Sequence, residues 1–534
     1  MWELKKEMVQ EDITVLIGGG TYTISETVVF DLRDSGSANQ KITYKALPGE
    51  TPVFTSGVKI NGRNRMTPAD SGYSFLPSNA RGHVFVADLP EGWRQVRNLV
   101  DLNANWLDRG RIGVTRYIAT QHFKYDKWID GEMWDPPAEK KVQEYSKSME
   151  RLSNADDALD LRIWTSDWNM NLLPVASIKG NTLTTTVPGT YRLAIPWNFF
   201  GRRKIGHRIV ERYEGELCWI ENLLEGLDAP GKWVCNTRTN QLYLWPVSYS
   251  LDVFAPGLIE LVRVEGQIDY WGSTDTTVQY LTFDGITFTN GERAIWQEGD
   301  AGIQHDWGMI DKANALLRFR GVENCTVRNC TFRKSGGAGV RFDLHAQRNS
   351  VDNCLFEYLG FEAVHFCSYG SGQKDVNKGN RQVNSEVHNV GRIQWDSPAI
   401  VVWNNGYNHI ACNYVHHCPY NALLLAAPRS WAFNPHYPTR EQGWPVARWR
   451  EIPPEAQVEW VLRNGLRNIP EKADRICAHY RYLRGNLIEG NTLRNISDGL
   501  RGDGVFYVSG SASTPNPERD YNRIVSRLFN STLP

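Results

Sequence analysis

Short runs of apolar and β-branched residues recur along the chain, each closed by Gly, Asn or Ser, a pattern that predicts β-strands joined by tight turns. A first family of runs lies at 278–283, 325–332, 350–356, 409–415 and 487–493. A second family interleaves with the first, and its third residues are Val340, Val364, Ile400, Leu423 and Val505. The runs are shorter than ordinary globular helices, so the pattern indicates an all-β protein.

The second family keeps a base period of about 23 residues, lengthened in places by insertions, which is typical of stacked solenoid coils. A single coil cannot bury its apolar face, whereas coils stacked about 4.8 Å apart build one continuous core. The sequence therefore predicts a right-handed parallel β-helix. Cys330 and Cys354, like Asn329 and Asn353, fall at the same point of successive coils and are expected to form internal ladders. The alternative, an ordinary β-sandwich, would not keep equivalent residues aligned in one column where insertions interrupt the repeat.

The periodicity divides the chain into three predicted parts. Residues 1–95 contain the first coils, 96–255 lose the period and are interpreted as an inserted β-sandwich-like domain, and 256–534 form the main β-helix. A second insertion, at about 428–480, has helical spacing. Solenoid ends need caps, so we expect a covering loop at each end or a longer chain.

Composition and charge narrow the class of partner. Lys and Arg total 59 against 60 for Asp and Glu, so there is no basic field to attract nucleic acid or acidic lipid. We expect no membrane span, because no apolar run reaches about 18 residues.

The nine cysteines lack a paired Cys-x-x-Cys spacing and are predicted to be buried free thiols. Neither a cofactor nor a metal is expected, since the sequence has no phosphate-binding loop and no His pair at ligand spacing with a third partner nearby.

Candidate catalytic carboxylates come from the starts of the second family of strands, which would line a groove on the outer wall. Alignment places Ala338, Glu362, Pro398, Asn421 and Asp503 in one column, with Asp396 just before Pro398. Glycoside hydrolysis needs two carboxyl groups, about 5–5.5 Å apart for retention or about 6.5–9.5 Å apart for inversion. Glu362 and Asp396, on neighbouring coils, suit the first case. Asp396 and Asp503, roughly 9.6 Å apart at about 4.8 Å per coil, suit the second. The alternative is that these acids only cap turns.

Five further residues are candidates for binding a saccharide. Arg341 and His365 are expected on the outer face of their strands, and His417 closes a later coil. Trp395 and Trp403 offer flat rings for the apolar faces of sugars. The alternative for both tryptophans is that they fill the contacts between the solenoid and its insertions.

Several segments resemble the secreted bacterial β-helix glycosidases, which include plant cell wall fucosidases and xylanases. The segments are Gly18-Gly-Gly-Thr-Tyr-Thr-Ile, Ile42-Thr-Tyr-Lys-Ala, Leu227-Asp-Ala-Pro-Gly-Lys-Trp-Val and Gly504-Val-Phe-Tyr-Val-Ser-Gly. The resemblance implies a β-sandwich inserted between early and later coils and an extracellular or periplasmic location, although the residues at the start of the sequence lead us to expect no signal peptide. The chain departs from the pattern of these relatives in two places. Asp503 is displaced by one residue from the position of the relatives' acid, and Val415–Cys418 lacks the carboxylate that the relatives have there.

These observations lead to one prediction and two alternatives. The prediction is a glycoside hydrolase acting on a plant or algal polysaccharide or its side chains, with Asp396 and Asp503 sharing the acid and base or nucleophile roles and Glu362 in reserve. The first alternative is a polysaccharide lyase with Arg341 or His365 as base. The second is a carbohydrate-binding solenoid without turnover. In each case the expected partner is a polysaccharide or oligosaccharide.

Overall fold

The structure is a computed structural model, and it describes most of the predicted solenoid and part of the insertion. The described residues are 11–70, 72–90, 99–101, 106–109, 111–113, 159–166, 169–179, 182–186, 202–205, 208–211, 218–236, 239–248, 252–269, 274–295, 311–367, 374–426, 483–497, 505–509 and 522–525.

Three parallel sheets wind around a common core, and successive coils contribute a strand to each sheet in turn. Sheet 1 has the strands Ile13–Ile17, Ile42–Ala46, Leu281–Asp284, Thr326–Arg328, Ser350–Asp352, Arg381–Val383, His409–Ala411, Leu487–Glu489 and Arg523–Val525. Sheet 2 has Gly20–Thr23, Pro52–Thr55, Thr287–Thr289, Thr331–Ser335, Leu355–Leu359, Glu386–His388, Tyr414–Cys418 and Thr492–Ile496. Sheet 3 has Val28–Phe30, Val262–Glu265, Ala315–Glu323, Ala338–Gln347, Val364–Cys367, Ile400–Trp403, Leu423–Ala426 and Phe506–Ser509, with Val278–Gln279 and Asn377–Lys378 at its margin. The fold is a parallel β-helix, as the sequence predicts.

The column of apolar residues predicted for sheet 3 is confirmed except in its last coil. Val340 pairs with Val364, Val364 with Ile400, and Ile400 with Leu423. Leu423 then pairs with Phe506 rather than with Val505. The predicted register is therefore one residue out at this point.

Stacked phenylalanines fill the core along two of the sheets. In sheet 3 the rings of Phe319 and Phe342 lie 4.7 Å apart and nearly parallel, and Phe366 continues the stack at 5.1 Å. Sheet 2 has the equivalent stack of Phe288, Phe332 and Phe356, with 5.0 Å between successive centroids. Like residues lie above like because parallel strands pair in register, which is the arrangement that a solenoid core requires.

Buried asparagines line the turn that leads into sheet 1. The backbone N–H of each residue donates to the side-chain oxygen of the next, at 2.9–3.0 Å, along a ladder that begins at Cys325 and continues through Asn349, Asn380, Asn408, Asn486 and Asn522. These bonds satisfy backbone groups that the turns would otherwise leave buried without a partner. The ladder supports each turn of the described coils on the next.

The predicted internal ladders are only half right. Cys330 and Cys354 are buried at equivalent positions. Asn329 and Asn353 also stack, with Asn353 Nδ2 donating to Asn329 Oδ1 at 2.8 Å, but both are exposed. Their φ angles of 54° and 51° are left-handed, a region that Asn adopts more readily than most residues, so this column forms solvent-facing turns. Cys412 is likewise exposed, in contrast to the prediction of uniformly buried thiols.

The insertion contains antiparallel sheets. The largest follows the order Gly57–Lys59, Val253–Pro256, Leu99–Asp101, Trp106–Arg109, Lys232–Asn236, Gln241–Leu244, Phe85–Asp88 and Asn64–Arg65, with one parallel pairing at its centre. A second has Arg111–Gly113, Cys218–Glu221, Asp160–Ser166, Asn169–Lys179 and Thr182–Thr185, and a hairpin has Arg202–Ile205 and Arg208–Glu211.

The antiparallel strands begin at Gly57, well before the boundary at residue 95 that the sequence suggests. Strands as short as Gly57–Lys59 and Asn64–Arg65 carry too little periodicity to reveal this boundary. Short 3-10 helices lie at Leu32–Asp34, Tyr73–Phe75 and Leu224–Gly226. The insertion predicted at 428–480 lies outside the described residues, and within them no helix has the length and apolarity to cross a bilayer.

Candidate active site on the outer face of sheet 3

Alternation along two neighbouring strands of sheet 3 directs polar side chains away from the core. Val340 and Phe342 belong to the core cluster, so Arg341 between them lies on the outer face. In the next coil Val364 and Phe366 face inward, and His365 pairs directly with Arg341. The predicted outward orientation of Arg341 and His365 is therefore confirmed.

Glu362 meets these two residues from the segment just before the strand Val364–Cys367. Its Oε1 lies 2.8 Å from His365 Nδ1 and 3.9 Å from Arg341 Nη1. Arg341 Nη1 also lies 3.2 Å from His365 Nδ1. A carboxyl group and an imidazole at this distance can share or pass a proton, which is the basic requirement of acid–base catalysis.

Asp343 adds a second carboxylate that the sequence reasoning missed. It lies two residues after Arg341 on the same face, and Arg341 Nε contacts both of its oxygens at 3.0 Å. Arg318 from the preceding coil donates through Nε to Asp343 Oδ2 at 2.7 Å. The signal was available, since Arg341-x-Asp343 places both side chains on one face of a strand.

Further ion pairs continue along this face toward the earlier coils. Arg318 also contacts Glu260 at 3.1 Å and Asp311 at 2.7 Å. Burial opposes the charge of Arg318, but its three carboxylate neighbours outweigh burial and raise the pKa of its guanidinium. The outer face of the described early coils is thus a ladder of alternating charges in which Arg318 is a central cation.

His345, farther along the Ala338–Gln347 strand, contacts two carboxylates. Its Nδ1 lies 2.9 Å from Asp275 and its Nε2 lies 2.8 Å from Glu323. Because carboxylate oxygens only accept hydrogen bonds, a protonated imidazole satisfies both contacts. Burial lowers the pKa of His345, but the hydrogen bonds to Asp275 and Glu323 prevail and raise it overall. The hydrogen bond from His345 is in turn the main reason that the pKa of Glu323 is lowered.

The charged cluster is not an open groove, in contrast to the sequence-based expectation. Arg341, Asp343, Glu362 and His365 are all fully buried. Charges removed from water are tolerated only when they are paired, and the contacts above supply that pairing. The sequence pattern identifies which residues leave the core, but it contains no information about whether other parts of the chain then cover them.

The later coils of sheet 3 carry apolar residues on the same outer face. Trp403 belongs to a buried cluster with Val401 and Leu424, and only about a tenth of it is exposed. Its surroundings are apolar rather than the open surface expected of a sugar platform.

Asp396 lies at the contact between the solenoid and the inserted sheet. Its Oδ2 accepts the backbone N–H of Met170 at 2.7 Å, and its Oδ1 accepts from Gln394 Nε2 at 2.6 Å. Gln394 also donates to the carbonyl of Met170. Asp396 is fully buried, so the expectation that it projects into a groove is wrong. Its partner lies 226 residues away in sequence, so no local pattern could have revealed this contact.

Neighbouring residues extend the same contact. Leu172 packs against Ala338, Phe361 and Ile393 of the solenoid. Arg162 from the inserted sheet donates to the carbonyl of Ile393 at 2.7 Å. The inserted sheet is therefore held on the β-helix by apolar packing as well as by buried hydrogen bonds.

The remaining predicted site residues lie apart from the charged cluster or outside the described part of the chain. Trp395 packs on Trp219 of the inserted sheet, with 5.3 Å between ring centroids, which agrees with a role in filling the contact with the insertion. His417 is exposed on sheet 2, so it shares no face with Arg341 and His365. Asp503 lies outside the described residues, and its predicted role stays a prediction.

Comparisons with known proteins add little to this description. No protein-family model matches the chain. No similar sequence was found among the curated proteins. The chain is similar to a solved structure described as a glycoside hydrolase, with 14% identity and a TM-score of 0.46 over 96% of this chain and 92% of that one. It is also similar to XylC in complex with xylose, with 10% identity and a TM-score of 0.35 over 79% of this chain and 56% of that one. The fold given above rests on the strand pairings of this chain.

Proposed function

We propose that the protein is a glycoside hydrolase that acts on a plant or algal polysaccharide or its side chains. The observation that carries the proposal is the group of Glu362, His365, Arg341 and Asp343 on the outer face of sheet 3. Two carboxyl groups there share one guanidinium, since Arg341 contacts Asp343 at 3.0 Å and lies 3.9 Å from Glu362. Glycoside hydrolysis uses two such groups with different surroundings.

The different contacts of the two carboxyl groups suggest different roles. Glu362 is paired with an imidazole at 2.8 Å, so it is assigned the proton-donating role toward the glycosidic oxygen. Asp343 lies between the guanidinium groups of Arg318 and Arg341, which compensate a negative charge, so it is assigned the role of nucleophile or base. This assignment replaces Asp396 as the first candidate, because the oxygens of Asp396 bind the Met170 backbone and the Gln394 amide at the contact with the insertion, whereas Glu362 and Asp343 contact ionisable side chains. Asp503 remains a candidate for the second carboxylate.

A lyase is the alternative that one observation favours. Arg341 and His365 lie 3.2 Å apart, and a polysaccharide lyase uses such groups to neutralise a uronate and to abstract its proton. The two reactions leave different products, since lyases create unsaturated ends that absorb ultraviolet light and hydrolases do not.

The test is a panel of neutral and acidic plant and algal polysaccharides incubated with the full chain. New reducing ends without ultraviolet absorbance support the hydrolase. New reducing ends with ultraviolet absorbance contradict it in favour of a lyase. Binding to a glycan in the absence of any new ends would instead make the protein a carbohydrate-binding solenoid.

A further inference from the structure

A group of two histidines and a carboxylate lies on the outer face of sheet 2, away from the proposed active centre. Glu386 and His388 come from one strand of this sheet and His416 from the next. The register pairs His388 directly with His416, so stacking of the coils brings together side chains that the sequence keeps far apart. The sequence shows no His pair with a third partner at ligand spacing, because the pairing arises only when the coils stack.

The ligand atoms of these three residues already converge. One donor atom from each of Glu386, His388 and His416 lies within 4.8 Å of the other two. Glu386 Oε1 and His416 Nε2 are 3.1 Å apart. Ligands about 2.0–2.1 Å from a tetrahedral Zn²⁺ are separated by roughly 3.3 Å, so this pair needs almost no adjustment.

A second carboxylate stands beside the group in the preceding coil. Glu357 pairs with His388 in the register, and its Oε2 lies 3.6 Å from His388 Nε2. Two imidazoles with one or two carboxylates form a donor set that suits Zn²⁺ and other divalent transition metals.

Neighbouring side chains fix the orientation of both imidazole rings. The rings of His388 and His416 stack at 4.8 Å with 12° between their planes. Asn389 contacts Nδ1 of His388 at 2.8 Å, and His417 contacts Nδ1 of His416 at 2.6 Å. In both histidines Nδ1 therefore contacts a neighbouring side chain, and Nε2 is the ring nitrogen that faces a carboxylate.

We propose that Glu386, His388 and His416 bind one divalent transition metal ion such as Zn²⁺, with Glu357 available as a fourth ligand. The ion links neighbouring coils of sheet 2 and so braces the solenoid. This inference is independent of the proposed hydrolase activity, because it concerns a different sheet.

The test is isothermal titration of the chelator-treated full chain with ZnCl₂, together with its melting temperature with and without Zn²⁺. H388Q and H416Q keep polar side chains at these partly exposed positions. The matched control is H409Q, because His409 contacts Glu489 at 2.9 Å on sheet 1 but belongs to no cluster of three ligands among the described residues.

We expect the wild-type chain to bind one Zn²⁺ and its melting temperature to rise when Zn²⁺ is bound. The dissociation constant for Zn²⁺ should be at least about tenfold larger in H388Q and in H416Q, and unchanged in H409Q. Zinc binding of unchanged strength and stoichiometry in H388Q and H416Q would overturn the proposal. A failure of the wild-type chain to bind Zn²⁺ would overturn it as well.

Discussion

Asp396 of the β-helix accepts the backbone N–H of Met170 from the inserted sheet at 2.7 Å. This hydrogen bond joins two parts of the chain that have different architectures. Gln394 donates both to Asp396 and to the carbonyl of Met170. Together, Asp396 and Gln394 hold the inserted strand on the solenoid as a hydrogen-bonded neighbouring strand would. A carboxylate that the sequence suggested for catalysis thus has an evident structural function.

Removing the Asp396 carboxylate should destabilise the protein. In D396A the N–H of Met170 and the amide of Gln394 lose their acceptor while buried, at a cost of about 1–3 kcal/mol each. D396N retains one oxygen for Met170 and should be affected less. Thermal unfolding of both variants checks this order. Unchanged melting temperatures together with complete loss of turnover in D396N would restore the catalytic assignment.

The stacked phenylalanines should provide much of the stability of the solenoid. F342A removes a fully buried ring between Phe319 and Phe366 and should cost about 3–5 kcal/mol. F342L, which keeps most of the volume, should cost clearly less than F342A. L16A, at an exposed position on sheet 1, should change stability by no more than about 0.5 kcal/mol. Chemical denaturation ranks the three variants, and equal effects of F342A and L16A would contradict the packing described here.

The buried asparagine ladder should matter far more than the exposed one. Asn380 Oδ1 accepts from both the backbone and the side chain of Asn349 at 3.0 Å, so N380A leaves the buried backbone N–H of Asn349 without its acceptor and its side-chain amide with only the Val322 carbonyl at 3.4 Å, which should cost about 2–3 kcal/mol. Asn353 is exposed at a left-handed φ, which glycine tolerates, so N353G should cost less than about 1 kcal/mol. The two variants are compared by denaturant unfolding. A smaller loss in N380A than in N353G would mean that the ladder bonds do not support the turns.

The stability that His345 provides should depend on pH. Because the pKa of His345 is raised in the folded chain, its contribution is complete below the unfolded value of about 6.5 and is lost as pH rises through the folded pKa. The difference in melting temperature between wild type and H345Q should therefore be largest below pH 6.5 and decrease at higher pH. A difference that stays constant from pH 5.5 to 9 would show that the contacts to Asp275 and Glu323 do not depend on the charge of His345.

The sequence predicts the architecture well because a solenoid repeats its pattern. The column from Val340 to Leu423 follows from the period alone. The predicted register is one residue out in the last coil because Val505 and Phe506 are both apolar, so either could pair with Leu423. The alternating pattern favours Phe506, since Phe506 and Val508 lie on the same face of the strand.

The site was harder to predict than the fold. Arg341, His365 and Glu362 are brought together as the strand alignment suggests, since neighbouring coils place them side by side. The burial of this group and the attachment of Asp396 to Met170 depend on residues distant in sequence, which a local pattern does not specify. The cluster of Glu386, His388 and His416 was missed for the same reason.

Glu362 is the proposed proton donor of a glycoside hydrolase. The most direct test of this role is the initial rate of reducing-end release by E362Q and by wild type, on the polysaccharide that wild type degrades fastest, with D396N as the matched buried-carboxylate control. We expect E362Q to lower the melting temperature, because it weakens a buried ion pair, and to be slower by about 10²–10⁴-fold after rates are corrected for the folded fraction; D396N should retain turnover. An E362Q variant that releases reducing ends at the wild-type rate would contradict the claim.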